Sequence, residues 1–134
     1  MDRAAARQRV LEAPVGRLAT ITRDGRPHLV PCCFVLLGDT AYSAVDAKPK
    51  STLALRRIDN LAAHPACSLL VDHYEEDWSA LWWVRLDGTG RAVDSPVERA
   101  QAIEALVDKY PEYAEVAIPG PVLALEIERW RTWP

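Results

Sequence analysis

The sequence predicts a mainly β fold with α-helices: six strands in largely antiparallel order, closing into a small barrel whose openings are covered by helices. Three observations carry this expectation. Short alternating or β-branched segments recur along the chain, bounded by turn residues such as Asp24-Gly25 and Gly38-Asp39. Helix-start signals follow Asp2 and Ser95. The 134 residues, 49% hydrophobic and 26% charged, suit one domain, residues 1–134, with a real core and no linker or repeat.

Asp2 caps a first helix running to about Glu12, with Val10 and Leu11 as its apolar contacts, and Pro14 ends it. Residues 15–22, V-G-R-L-A-T-I-T, form a strand, and Asp24-Gly25 turns the chain into a second strand over residues 27–37. Pro31 inside that run has no N–H to give a ladder, so it belongs at an edge or a break in pairing. A third strand over residues 41–46 completes a meander. Leu53, Leu55, Ile58 and Leu61 then suit one or two helical turns packed on the sheet, stopped by His64-Pro65.

Residues 66–72, A-C-S-L-L-V-D, form a buried strand, followed by an acidic loop over 73–77. Residues 78–93 form one long strand bent near Gly88 and Gly90, with Trp82, Val84 and Leu86 on one face and Trp83, Arg85 and Asp87 on the other. Ser95, Pro96 and Glu98 open a helix whose buried stripe is Val97, Ala100, Ile103, Val107 and Tyr110. A helical turn over 111–117 and an alternating final strand through Leu123, Leu125 and Ile127 close the chain.

A net charge of -3 gives no general attraction to a polyanion, so neither nucleic acid nor an anionic membrane is an expected partner. No apolar run approaches a membrane span and the opening residues lack a signal-peptide core, which predicts a cytoplasmic protein. Three cysteines without a CxxC read as reduced thiols, and five tryptophans favour an oligomer. His28 with Cys32, and His64 with Cys67 and His73, match no zinc spacing, so no metal is expected. Neither a Gly-rich phosphate loop nor a local motif for a cysteine nucleophile occurs.

The stretch most suggestive of chemistry is Y-S-A-V-D-A-K-P-K-S-T over 42–52. Lys48, Lys50, Ser51 and Thr52 set two cations and two hydroxyls beside the unpaired N–H groups of a helix start, an arrangement suited to phosphate. The same K-P-K is also what a solvated turn looks like.

That stretch, taken in order with G-R-P-H-L-V-P at 25–31, A-C-S-L-L-V-D at 66–72 and D-G-T-G-R-A-V at 87–93, resembles the split-barrel flavin and deazaflavin oxidoreductases related to pyridoxamine 5′-phosphate oxidase. More narrowly, it resembles an actinobacterial branch that uses the deazaflavin coenzyme F420, with FMN the alternative; the C-terminal E-I-E-R-W-R-T-W adds to it. The resemblance covers nearly the whole chain. It implies a six-stranded antiparallel split β-barrel, the FMN-binding split barrel, with flanking helices, in a homodimer whose cofactor sites lie at the interface. It further implies that Lys48, Lys50, Ser51 and Thr52 hold the cofactor phosphate. Ser43, Val30, Pro31, Cys32 and Cys33 would line the ring, and Trp82 or Trp83, with Trp78 of the partner chain, would pack on it. Arg56 and Arg57 are candidates to meet the acidic tail of F420. The implied reaction is hydride transfer to a small conjugated organic acceptor, with the cofactor supplying the chemistry and no side chain assigned as nucleophile or proton donor. A non-catalytic cofactor carrier is the rival of a different class.

Overall fold

The computed structural model describes residues 1–44, 52–115, 118 and 120–134, the side chains of 52–55 excepted. Its elements are α1 (Arg3–Glu12), β1 (Gly16–Ile21), β2 (Pro27–Cys32), β3 (Val35–Leu37), β4 (Thr40–Ala44), α2 (Thr52–Ala63), β5 (Ala66–His73), β6 (Trp82–Ala92), α3 (Pro96–Lys109) and β7 (Val122–Trp133), with 3-10 turns at Trp78–Ala80 and Pro111–Ala114. The mainly β, antiparallel half-barrel with helices is as expected. It has seven strands rather than six, in the order β2-β1-β5-β6-β7-β4-β3.

The extra strand arises because residues 27–37 do not form one strand. Residues Pro27 to Cys32 pair with β1, whereas Val35 to Leu37 pair with β4, which itself lies on β7. The expected meander is therefore two separate hairpins at opposite edges of the sheet. Only Cys33 and Phe34 join those edges, so the sheet has to curl until they nearly meet, since two linking residues span roughly 11 Å at most. This seam closes the barrel covalently where hydrogen bonding stops. Pro31 sits in edge strand β2, opposite Arg17, where its missing N–H costs no ladder bond.

The ends of the elements follow local chemistry. Asp2 accepts from the Ala5 N–H to cap α1. Ala6 and Val10 carry its buried face, and Leu11, expected inside, is 39% exposed. Asp77 accepts from the Ser79 N–H and caps a 3-10 turn, so the strand expected from residue 78 begins at Trp82. Inward-facing Leu18, Leu69, Val71, Val84, Leu86, Leu123 and Leu125 pack with Phe34 and Leu61 to form the barrel interior. Helix α2 is one 12-residue helix rather than isolated turns; Asn60 on it reaches inward to donate to the Thr20 hydroxyl at 3.0 Å.

Helix α3 is capped as expected, Ser95 accepting from the Glu98 N–H, but its buried stripe is rotated. Ala102 and Leu106 are fully buried, while Val97 is 68% exposed. The cause is Glu98. Its carboxylate accepts both Arg91 guanidinium N–H groups at 2.8 and 2.7 Å and the Tyr42 hydroxyl at 2.7 Å. That turns the face through 98, 102 and 106 toward the barrel. The hydrogen bond from Arg91, then that from Tyr42, holds the Glu98 carboxyl down at about 2. A depressed carboxylate stabilises the fold above its unfolded pKa and loses that contribution as pH falls through the folded value. Glu98→Gln is thus expected to cost roughly 1–2 kcal/mol near neutral pH, discounted for partial exposure. In urea melts its difference from the unsubstituted chain should shrink below about pH 4.5 and be nearly gone by about pH 2. A difference independent of pH overturns this account.

Candidate cofactor site

The seam is where groups capable of binding converge. Phe34 is buried, and its N–H donates to the Tyr110 hydroxyl at 3.1 Å. The Tyr110 proton is shared between the carbonyls of Pro14, at 2.9 Å, and Phe34, at 3.1 Å. One phenol therefore pins the end of α1, the seam and the end of α3 together. Burial pushes its pKa up to about 12, which keeps the proton in place at physiological pH. On the other side of the seam, buried Ser43 in β4 donates to the Cys33 carbonyl at 2.7 Å. Burial raises the pKa of the Cys32 thiol, so that group is a neutral wall and not a nucleophile.

Val30, Pro31, Cys32 and Cys33 run along the open edge of the sheet into this seam, and Ser43 is tied to it through Cys33. Beyond β1, β2 meets no further strand, so its outer row of backbone groups is unpaired by the sheet. Lys48, Lys50 and Ser51 lie outside the described residues, as does the side chain of Thr52; the backbone of Thr52 opens α2.

The tryptophans occupy a second corner. Trp82 packs against the barrel core and carries the Arg9 guanidinium 4.7 Å from its ring centre on one side, with His73 stacked at 6.2 Å. These groups line a cleft of about 500 Å³ with Glu12, Arg17 and Tyr74. Trp83 stands on the opposite face beside Arg85, and Trp78 is 71% exposed.

A third feature is the outward face of the sheet. Strand register sets Pro31, Arg17, Leu70, Arg85 and Arg131 in one row across five strands. The next row is Leu29, Ala19, Ser68, Asp87 and Arg129. None of these residues is buried. A shallow cleft of about 780 Å³ runs along this face past Ile21, Ser68, Asp87 and Arg129.

Two further cationic groups carry a buried nitrogen, Arg57, a candidate from the resemblance, and Lys109, which the sequence does not single out. Lys109, three residues after Leu106 on the inward face of α3, sets its Nζ 3.9 Å from the centre of the Phe34 ring. Its ammonium and the Nε of Arg57 are buried and have no hydrogen-bond partner. Buried donors without acceptors are what a site awaiting a polar, electron-rich ligand leaves behind. The residues present therefore fit a flavin-type group, which carries both a phosphate and carbonyl oxygens. Among the described residues no His, Cys, Asp and Glu cluster could hold a metal ion, and no helix is long and apolar enough to cross a membrane.

Comparison with known proteins agrees with the fold. The profile of the family described as pyridoxamine 5′-phosphate oxidase matches residues 3–134. No curated protein matches the chain significantly. Among solved structures, a conserved hypothetical protein from Mycobacterium tuberculosis is 22% identical, with a TM-score of 0.80 over 99% of this chain and 84% of that one. A heme binding protein from Mycobacterium smegmatis is 25% identical, with a TM-score of 0.75 over 99% of this chain but 55% of its own. A FAD-binding protein from Mesorhizobium loti is 20% identical, with a TM-score of 0.72 over 98% of this chain and 92% of that one.

Proposed function

We propose that this chain, which belongs to the pyridoxamine 5′-phosphate oxidase family, is a homodimeric oxidoreductase that holds the deazaflavin F420, with FMN the alternative, and reduces a small conjugated organic acceptor. The observation that carries the reading is the open edge of β2 running through Val30 to Cys33 into a seam held by Ser43 and Tyr110. The bound ring supplies the hydride. The chain's own residues bind and orient: the edge of β2 meets the polar rim of the ring, and Lys48, Lys50, Ser51 and Thr52 hold the phosphate. The second subunit docks on the uncovered sheet face, which brings its Trp78 toward the Trp82 corner of the first and keeps water out.

Fluorescence titration of the cofactor-free protein with F420 and with FMN tests the choice of ring. Tight FMN binding with no F420 binding overturns the preference for the deazaflavin. Lys50→Ala should weaken cofactor binding by roughly 1.5–3 kcal/mol, the scale of one charge-assisted hydrogen bond, with the fold intact. An unchanged dissociation constant removes Lys50 from the site. Turnover of the reduced cofactor against quinones, enones and biliverdin-like tetrapyrroles separates an enzyme from a carrier, and inactivity across such a panel favours the carrier.

A second reading, binding of a tetrapyrrole without turnover, is supported by His73 over Trp82 in the cleft with Arg9 and Arg17. Arginines there suit carboxylate side arms and the imidazole suits iron. Neighbours of this fold include the heme binding protein of Mycobacterium smegmatis and a heme storage protein from Vibrio cholerae. Hemin titration of the protein and of His73→Ala tests it; identical spectra in the two remove His73 as a ligand.

A further inference from the structure

The acidic loop over 73–77 and the last tryptophan of β7 take no part in the seam, and the fold brings them to one place. Strand register sets Asp72, Trp83 and Trp133 side by side on β5, β6 and β7. Neighbouring strands lie about 4.8 Å apart, so a group seated over Trp83 is within reach of both flanking side chains. A small cleft of about 270 Å³ opens there over the strand ends, and Tyr74, Leu81 and Trp82 complete its wall. It shares Asp72, His73, Tyr74 and Trp82 with the larger cleft beside Arg9 and Arg17, but among the described residues no lysine or arginine lines it.

The charge around this cleft is one-sided. Asp72, Glu75, Glu76 and Asp77 place four carboxylates within six residues. Arg17 meets Asp72 at 3.2 Å, while Glu75 is bonded to His73 and Asp77 to the neutral Ser79. Aromatic faces attract cations, and this end of the barrel already uses them so. Arg9 lies 4.7 Å from the centre of Trp82, Arg3 4.9 Å from that of Trp130, and Arg85 5.8 Å from that of Trp83, where Asp87 holds and neutralises it. Trp133 and Tyr74, 47% and 73% exposed, carry no such cation among the described residues. Bare rings beside unbalanced carboxylates are the two halves of a site for an organic cation. The loop repels an anion, and a hard metal ion needs more oxygen ligands than Asp72 supplies. The volume is below the roughly 300–1,000 Å³ of drug-sized sites, so it suits a small head group.

We propose that Tyr74, Trp83 and Trp133 form an aromatic cage, backed by Asp72 and the acidic loop, that takes the quaternary ammonium group of a small organic cation. Such a group is weakly hydrated and spreads its charge over methyl groups that pack on the rings. The cage is built from one chain and does not rest on the oxidoreductase reading.

The test titrates the full chain with choline and with the uncharged alcohol in which carbon replaces the ammonium nitrogen, reading the indole N–H signals of the five tryptophans by NMR. Choline should move the Trp83 and Trp133 signals and bind about tenfold more tightly than the alcohol. Trp133→Leu should weaken choline binding by about tenfold, and Trp133→Tyr should keep most of it. Tyr74→Leu, at an exposed position, should weaken it by about threefold, so the test stays open if the Trp133 variant does not fold. Asp72→Asn should lower the affinity for choline and leave that for the alcohol unchanged. Sedimentation with phosphatidylcholine vesicles separates the sources of the cation: co-pelleting that choline competes away assigns a lipid head group, and its absence a free solute. Equal affinity for choline and the alcohol overturns the proposal, as does a choline affinity unchanged in both leucine variants. Failure of F420 and FMN to bind would defeat the oxidoreductase reading and leave the cage standing.

Discussion

Gly88→Ala should fail to form the native sheet, at a cost beyond about 4 kcal/mol, the range reserved for a clash that the surroundings cannot relieve. A Cβ built on Gly88 falls 1.9 Å from the Glu126 carbonyl oxygen and 2.8 Å from its carbon. Both atoms are backbone of β7, in the ladder where Thr89 opposes Glu126 and Gly88 opposes Ile127. Moving them breaks the longest pairing in the barrel. The ladder register shifts between Asp87 and Gly88, so this is the bulge that bends β6 and β7 together. Gly90 supplies the contrast. Its Cβ would meet the Leu61 Cδ2 at 2.6 Å and the Cys67 Sγ at 2.8 Å, both ends of side chains that can turn. Gly90→Ala should therefore cost roughly 1–3 kcal/mol and still fold. Urea unfolding followed by tryptophan fluorescence measures both variants, and equal midpoints for the two would refute the argument.

The bend at Gly88 was legible in the sequence because a glycine inside an alternating run is a local signal. So were Gly25 and Gly38, which adopt positive φ of 87° and 59° in their turns, and the caps at Asp2 and Ser95, whose side chains accept from the expected N–H groups. The alternation of Val84 and Leu86 against Arg85 and Asp87 likewise gave the faces of β6 correctly. The seam at Cys33 and Phe34 was not legible. The run C-C-F-V-L-L has no turn residue, and what breaks it is pairing at two distant edges, fastened by Tyr110 from 76 positions away. The orientation of α3 was missed for a related reason. Periodicity assigns Glu98 and Lys109 to solvent, whereas the helix is turned by the bonds Glu98 makes to Arg91 and Tyr42, partners that no local pattern names. As for the site, the edge character of Pro31 followed from its missing N–H, but Lys109 and Arg57 gained significance only when folding left their buried nitrogens without acceptors. The stretch from Lys48 to Ser51, read as a phosphate holder, lies outside the described residues.

Leu29→Arg should convert the proposed dimer to a monomer, weakening association by roughly a hundredfold or more, since an unpaired cation at an interface core costs about 3 kcal/mol or above. Leu29 is 67% exposed and stands in the row with Ala19, Ser68, Asp87 and Arg129, on the edge strand of an outward sheet face that spans five strands. The carboxylates on this face are already engaged within the chain, Asp72 by Arg17 at 3.2 Å and Asp87 by Arg85 at 2.8 Å. Neutral pairs flanking exposed apolar residues are what a self-complementary two-fold contact can bury, because each patch has to meet its own copy. An arginine at 29 adds a charge that neither Asp72 nor Asp87 is free to neutralise. Cofactor affinity should fall with the dimer, because both chains build each proposed site, and raising the protein concentration should recover it. Val97→Arg is the control. Val97 is 68% exposed, on α3, which packs chiefly on β3 and β4, neither of them among the five strands of that face, so a charge there should leave the dimer intact. Sedimentation of both variants decides the matter: a dimeric Leu29→Arg protein, or a monomeric Val97→Arg one, would move the interface off the sheet.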